Sequence, residues 1–208
     1  MHYFPLACAL LVLLSACNNS STPSSSVASP AETSQLAPGW KTYEDDWFRL
    51  NYPETSIVAG AKDGKQNPEF PKFAAIPKSE DPGGGFGAFT LQFDVKSKGM
   101  LLRDAILSEM SARTKNNGTL LSPAKEVKVG NGRCMSAVAS RQLDRCPKDQ
   151  GSCYSASIVT VCEDYAGRRY SANSLLSHSF DPKQLSPQAQ QEAAVYERIL
   201  RSLEFKKS

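Results

Sequence analysis

Cysteine is the residue type in this 208-residue chain whose spacing carries the most chemistry. Cys134, Cys146, Cys153 and Cys162 fall within one short segment. Four thiols so placed either pair with one another or hold a metal. Zinc sites are built from close Cys or Cys/His pairs. Here no CxxC pair occurs and the one nearby histidine is His178, so two disulfides are expected and no metal ligands are assigned. His178 is also the histidine a Ser-His-Asp arrangement would have to use. It lies in Ser177-His178-Ser179-Phe180-Asp181, a polar stretch that reads as a loop, and no GxSxG elbow accompanies it. Glu44-Asp45-Asp46 lacks the spacing of an EF-hand loop. Gly83-Gly84-Gly85-Phe86-Gly87 lacks the Lys-Ser/Thr of a P-loop and precedes a strand rather than a helix. No catalytic, cofactor-binding or metal-binding residue is assigned, and the expectation is a protein that is not an enzyme.

Two further cysteines stand near the start. Cys8 lies in the apolar run Leu6–Leu14, and Cys17 closes Leu14-Ser15-Ala16-Cys17. The run is too short to cross a bilayer, which takes about 20 apolar residues. A short apolar run ending in small residues is a secretory signal. With cysteine in last place, the four residues resemble the lipobox of bacterial lipoproteins. The resemblance implies that the Cys17 thiol receives a diacylglycerol, that the signal is cut before it, and that the new N-terminus is acylated. Several acyl chains hold a protein on a membrane where one holds it marginally. The start Met1-His2-Tyr3 carries no Lys or Arg, and an ordinary cleaved signal is the alternative. Asn18 in place of the Asp that favours inner-membrane retention points to the outer membrane, facing the periplasm.

Removal of residues 1–16 leaves 192. Residues 17–38 read as the lipidated cysteine and a tether, since Ser, Thr, Ala and Pro cannot bury enough surface to repay ordering. As a coil the tether spans about 25 Å. Residues 39–208 are one domain of ordinary size. A net charge of +3, spread along the chain, makes no case for nucleic acid. In an exported chain the four clustered cysteines favour bridges over thiols.

The elements that must position these residues follow from periodicity. Phe48, Leu50 and Tyr52 alternate with Arg49 and Asn51, and Pro53 ends that strand. Short strands are expected at 57–59 and 73–76, and a core strand at 86–95 with Phe89, Leu91, Phe93 and Val95 on one face. Residues 100–116 show helical spacing through Leu102, Ile106, Glu109 or Met110, and Arg113, with Leu101 and Ala105 widening the apolar stripe, and stop at Asn117-Gly118. Val127 and Val129 start a strand, and beyond the tight turn Gly130-Asn131-Gly132 strands at 133–143, 153–163 and 168–176 make an antiparallel meander. Four cysteines allow three pairings. Pairing 133–143 with 153–163 sets Cys134 opposite Cys162 and leaves Cys146 and Cys153 flanking the loop, so the nested bridges Cys134–Cys162 and Cys146–Cys153 are expected. Ser186 is the N-cap of a last helix with Pro187 in its first turn. The fold class is therefore α+β: an antiparallel sheet flanked by two main helices and bridged by disulfides.

Trp47-Phe48-Arg49-Leu50-Asn51-Tyr52-Pro53 is similar to the opening strand of the PsbP-like fold, shared by a photosystem II extrinsic subunit and by DcrB-like bacterial lipoproteins. Tyr196-Glu197-Arg198-Ile199-Leu200-Arg201-Ser202-Leu203-Glu204-Phe205 looks like the closing helix and strand of that fold. The resemblance implies an α/β/α sandwich and an accessory or assembly role with a protein partner in the cell envelope. A plausible contact face is the glycine-rich loop with Trp40 and Trp47, although aromatics of this kind more often belong to the core. Val161–Tyr170, a cysteine before a glycine turn, resembles the strand–turn–strand of lysozyme-inhibitor lipoproteins, which makes an inhibitor or immunity protein against a periplasmic hydrolase the alternative function. An envelope enzyme using His178 ranks last.

Overall fold

The computed structural model describes residues 36–60, 72–78, 86–115, 117–144, 146 and 151–207. Cys8, Cys17, the tether up to residue 35 and the glycines at 83–85 lie outside the described residues. Among those described, the elements run β1 (Trp40–Glu44), β2 (Phe48–Pro53), β3 (Ile57–Gly60), β4 (Phe73–Ile76), β5 (Phe89–Phe93), α1 (Leu102–Thr114), β6 (Thr119–Val129), β7 (Gly132–Gln142), β8 (Tyr154–Glu163), β9 (Arg169–Ser179), α2 (Pro187–Arg201) and β10 (Glu204–Phe205). Sheet dominates, and every strand pairing is antiparallel.

The strands form two sheets rather than the one expected. Seven take the order β3-β4-β5-β9-β8-β7-β6, and β2 sits between β1 and β10 in a separate sheet of three. Periodicity shows that β2 is half-buried but not which strand it joins. Phe48 and Leu50 are fully buried on one side of β2 while Arg49 is exposed on the other. The link back to the chain end is built by the β6–β7 turn. Asn131 Nδ2 donates to the Phe205 carbonyl at 2.7 Å, and the Phe205 amide donates to Asn131 Oδ1 at 2.9 Å.

The large sheet is read most simply across β7 and β8, whose residues alternate between two clusters. Ala137, Ala139, Val159 and Val161 pack with Ala105, Ile106 and Met110 of α1. Cys134, Ile158 and Cys162 pack in the larger cluster with Tyr196, Ile199 and Leu200 of α2 and with Phe48, Leu50 and Phe205. Since successive side chains of a strand point to opposite faces, the two helices use opposite faces of β7 and β8. β5 is an interior strand whose Phe89 and Leu91 are fully buried; Val95, beyond the strand end, is 60% exposed. At the start of α1 Leu101 is likewise exposed, 73%, because the extended Leu101 precedes the helix and never joins its stripe.

β6 begins at Thr119, eight residues before the expected start at Val127. Pro123 hid it, since proline lacks the N–H a ladder requires. β6 is an edge strand, and its pairing with β7 shifts register between Leu120 and Ser122 and again between Ser122 and Lys125. An edge strand with such irregularities tolerates a proline.

Cys134 faces Cys162 in register, with Cα atoms 4.1 Å apart and the sulfurs bonded. Cys146 and Cys153 are bonded across the β7–β8 loop, which the Leu143 amide closes on the Cys153 carbonyl at 2.9 Å. The β8–β9 turn is held by Asp164, 4% exposed, whose carboxylate accepts from the Ala166 and Arg168 amides and from Arg168 Nε at 2.5 Å. α2 starts at Ser186, whose hydroxyl accepts from the Ala189 amide at 3.2 Å, with Pro187 in the first turn. Beneath α2, Tyr196 Oη lies 2.9 Å from Thr160 Oγ1 and 3.0 Å from the Ala172 carbonyl oxygen, and Thr160 Oγ1 is 2.9 Å from Ser136 Oγ. The polar ends of α2's one large buried aromatic are thereby satisfied.

Candidate functional site

The most chemically pointed surface lies where α1 runs out over the strands. Met110 is the last large apolar residue that α1 buries. One turn on, the same face carries Arg113, whose Nη2 donates to Asn173 Oδ1 on β9 at 2.9 Å. Asn173 Nδ2 donates in turn to Ser171 Oγ at 3.1 Å, which fixes the amide's orientation. Glu109, one turn before, brings Oε2 to 3.7 Å of Arg113 Nη2, an ion pair too long for a good hydrogen bond.

Around Arg113 opens a cleft of about 510 Å³, lined among others by Thr90, Glu109, Ala112, Arg141, Ser157 and Asn173. A second hollow of about 620 Å³ shares Ala112, Arg113 and Arg141 and adds Lys115 and Asp144. Arg141 comes from the end of β7 and lines the same opening. It is exposed and makes no ion pair among the described residues. Burial holds the Arg113 guanidinium below its usual range; the Glu109 carboxylate opposes that, and the like charge of Arg141 adds to it. Two guanidiniums thus converge on one open cleft that a single carboxylate only partly offsets. Fixed cations with donors to spare recognise anions, and guanidinium does so through its planar fork.

The residues singled out in the sequence are placed as follows. Cys134–Cys162 and Cys146–Cys153 are bridges. Cys17 lies outside the described residues. His178 belongs to β9 rather than to a loop, opposite Ser155, with its ring 5.5 Å from Phe180 in an edge contact. The bulge at Ser155/Ser157 lets the strand continue through this polar stretch. Among the described residues no hydroxyl or carboxylate bonds to the His178 ring, and no three His, Cys, Asp or Glu side chains converge as metal ligands. Asp45 caps its own turn by accepting from the Trp47 and Phe48 amides at 2.8 and 2.9 Å.

Trp40 and Trp47 are half-buried. Both pack on the core cluster, Trp40 under the Arg198 guanidinium at 4.1 Å and Trp47 under Arg168 at 4.7 Å, with Phe93 edge-on at 5.6 Å. The glycines at 83–85 of the contact face expected there lie outside the described residues. Periodicity placed Arg113 in the apolar stripe of α1, and a charged residue at such a position was the available signal. Nothing local marks Arg141 or Asn173, which meet Arg113 only through strand pairing.

The geometry defines a sheet-rich, disulfide-stapled α+β domain with a cationic cleft on its α1 side. No protein-family model matches the chain, and no curated protein matches it.

Proposed function

We propose that this chain is a lipid-anchored protein of the bacterial cell envelope that binds a partner without performing chemistry, and that the α1 cleft is its binding face. The observation that carries the reading is the cleft: Arg113 and Arg141 converge from α1 and β7 on an opening walled by strands that a disulfide and a continuous ladder hold rigid. Rigid elements position binding groups better than loops do. Leu14-Ser15-Ala16-Cys17 supports the anchor and residues 17–38 the tether. Outer-membrane attachment on the periplasmic side is the localisation proposed.

The domain is proposed to be a PsbP-like α/β/α sandwich. In support, α1 and α2 pack on opposite faces of β7 and β8, and the opening β2 strand pairs with the closing β10. An accessory or assembly role follows from that likeness.

The full chain is to be expressed in a bacterial host, and its N-terminal mass and fractionation measured beside Cys17→Ser. A diacylglycerol-modified Cys17 and release of the variant from membranes are expected. Affinity capture from solubilised envelope is then compared between the wild-type chain and Arg141→Glu. A partner lost with Arg141→Glu supports the reading; an unmodified N-terminus, or capture indifferent to Arg141, overturns it.

The β8–turn–β9 unit favours one second reading. Cys162, bridged to Cys134, leads into the glycine turn at Gly167, the arrangement for which an inhibitor of a periplasmic hydrolase is the alternative. A lysozyme inhibition assay with no effect dismisses the lysozyme version.

A further inference from the structure

The cleft described above is specific enough to name the chemistry of what enters it. Arg113 is held at one end of its guanidinium. Nη2 is occupied by Asn173 Oδ1, Glu109 stands 3.7 Å from that same nitrogen, and Nε is buried with no hydrogen-bond partner. Its side chain is nonetheless 33% exposed, and Nη1 donates to none of the described residues. The open end of the guanidinium is therefore the one that meets the cleft. Arg141 supplies a second guanidinium without an ion-pair partner among the described residues. Lys115 and Asp144, in the adjoining hollow, bring one charge of each sign. The charges facing the opening are two cations against the single carboxylate of Glu109.

The walls between these groups are small or neutral: Ala112 on α1, and on the sheet Thr90 of β5 with Ala139 and Ser157, which face each other in register across β7 and β8. They leave room beside the charges; the Thr90 hydroxyl is spent on the Asn173 carbonyl at 3.2 Å and Ser157 is buried, so the two guanidiniums carry the recognition. Resting on the reading of this cleft as the binding face, we infer that it holds its ligand through one oxyanion, a carboxylate or a phosphate, set between Arg113 and Arg141, with a compact body against the alanines. The cost of holding Arg113 away from water is offset when an anion replaces that water, since hydrogen bonds to charged groups are stronger than neutral ones.

The test follows amide NMR shifts in the full chain, purified in detergent and titrated with sodium phosphate and, separately, with sodium propionate. Chloride keeps the ionic strength constant. Saturable shifts at Ala112, Arg113, Arg141 and Asn173 are expected with at least one probe, and the probe that binds tighter names the ligand class. Arg141→Gln weakens that binding about tenfold or more, the loss of one charged hydrogen bond, while Lys41→Gln on β1, in the separate three-stranded sheet, leaves it unchanged. Arg141 is exposed, so its variant keeps the fold. No saturable shift with either probe, or shifts indifferent to Arg141→Gln, overturns the inference. If the titration fails while Arg141→Glu still loses its envelope partner, the cleft stays a protein contact and only the oxyanion falls.

Discussion

Gly132 has no space for a side chain. A Cβ there would stand 2.5 Å from the Phe205 ring, and the neighbouring Gly130, at φ +42°, would drive one to 2.2 Å of the Leu203 carbonyl oxygen. The turn is tight because β10 docks directly against it, tied by the two Asn131 hydrogen bonds. Gly132→Ala is expected to destabilise the fold by about 1–3 kcal/mol, the usual cost of overpacking, read as a lower urea midpoint. Because the clash falls on β10, the small sheet should loosen first, with the amides of Phe48 and Phe205 losing hydrogen-exchange protection before those of β8.

At the scale of elements, the β7–β8 ladder is the frame, and its two bridges act on it unequally. Cys134–Cys162 spans 28 residues of sequence and Cys146–Cys153 spans 7. In the chain-entropy model a longer closed loop removes more freedom from the unfolded chain, giving about 3.6 kcal/mol for the first and about 2.4 kcal/mol for the second. Replacing each pair by serine and alanine in turn, with urea unfolding as the measurement, should show the Cys134–Cys162 loss to be larger by about 1 kcal/mol. Equal losses would mean that the β7–β8 hairpin persists in the unfolded chain and already confines the outer strand ends that Cys134–Cys162 joins.

The molecule as a whole hides two tyrosines whose hydroxyls are held neutral. Burial raises Tyr170 and Tyr196 well above the usual phenol value; Arg168 partly opposes the rise at Tyr170, and the Thr160 hydrogen bond does so at Tyr196. The sign follows from proton binding. Above about pH 10 the unfolded chain loses these protons while the folded chain keeps them. The stabilisation is complete below that value and is lost as pH rises toward the folded-state values. Each tyrosine lowers stability by about 1.4 kcal/mol per pH unit in that window. Urea midpoints should therefore fall slightly from pH 9 to 10 and steeply from 10 to 11, and Tyr196→Phe should be less stable at pH 7 yet show a shallower fall. A parallel fall in both proteins would assign the alkaline loss to other groups.

The order of strands in the meander, the helix spans, the Ser186 cap and the opposition of Cys134 to Cys162 were legible in the sequence, because each rests on local periodicity or on counting residues around one turn. Which sheet β2 joins was not, since Phe48-Arg49-Leu50 alternates the same way whichever neighbour it takes. β6 was hidden for a related reason, as proline forbids a central strand but not an edge. The cleft was the least legible feature of all. Arg113, Arg141 and Asn173 are distant in sequence and ordinary in type; only the pairing of β5, β9, β8 and β7 beneath α1 brings their charges to one opening, and charge acts through space rather than along the chain.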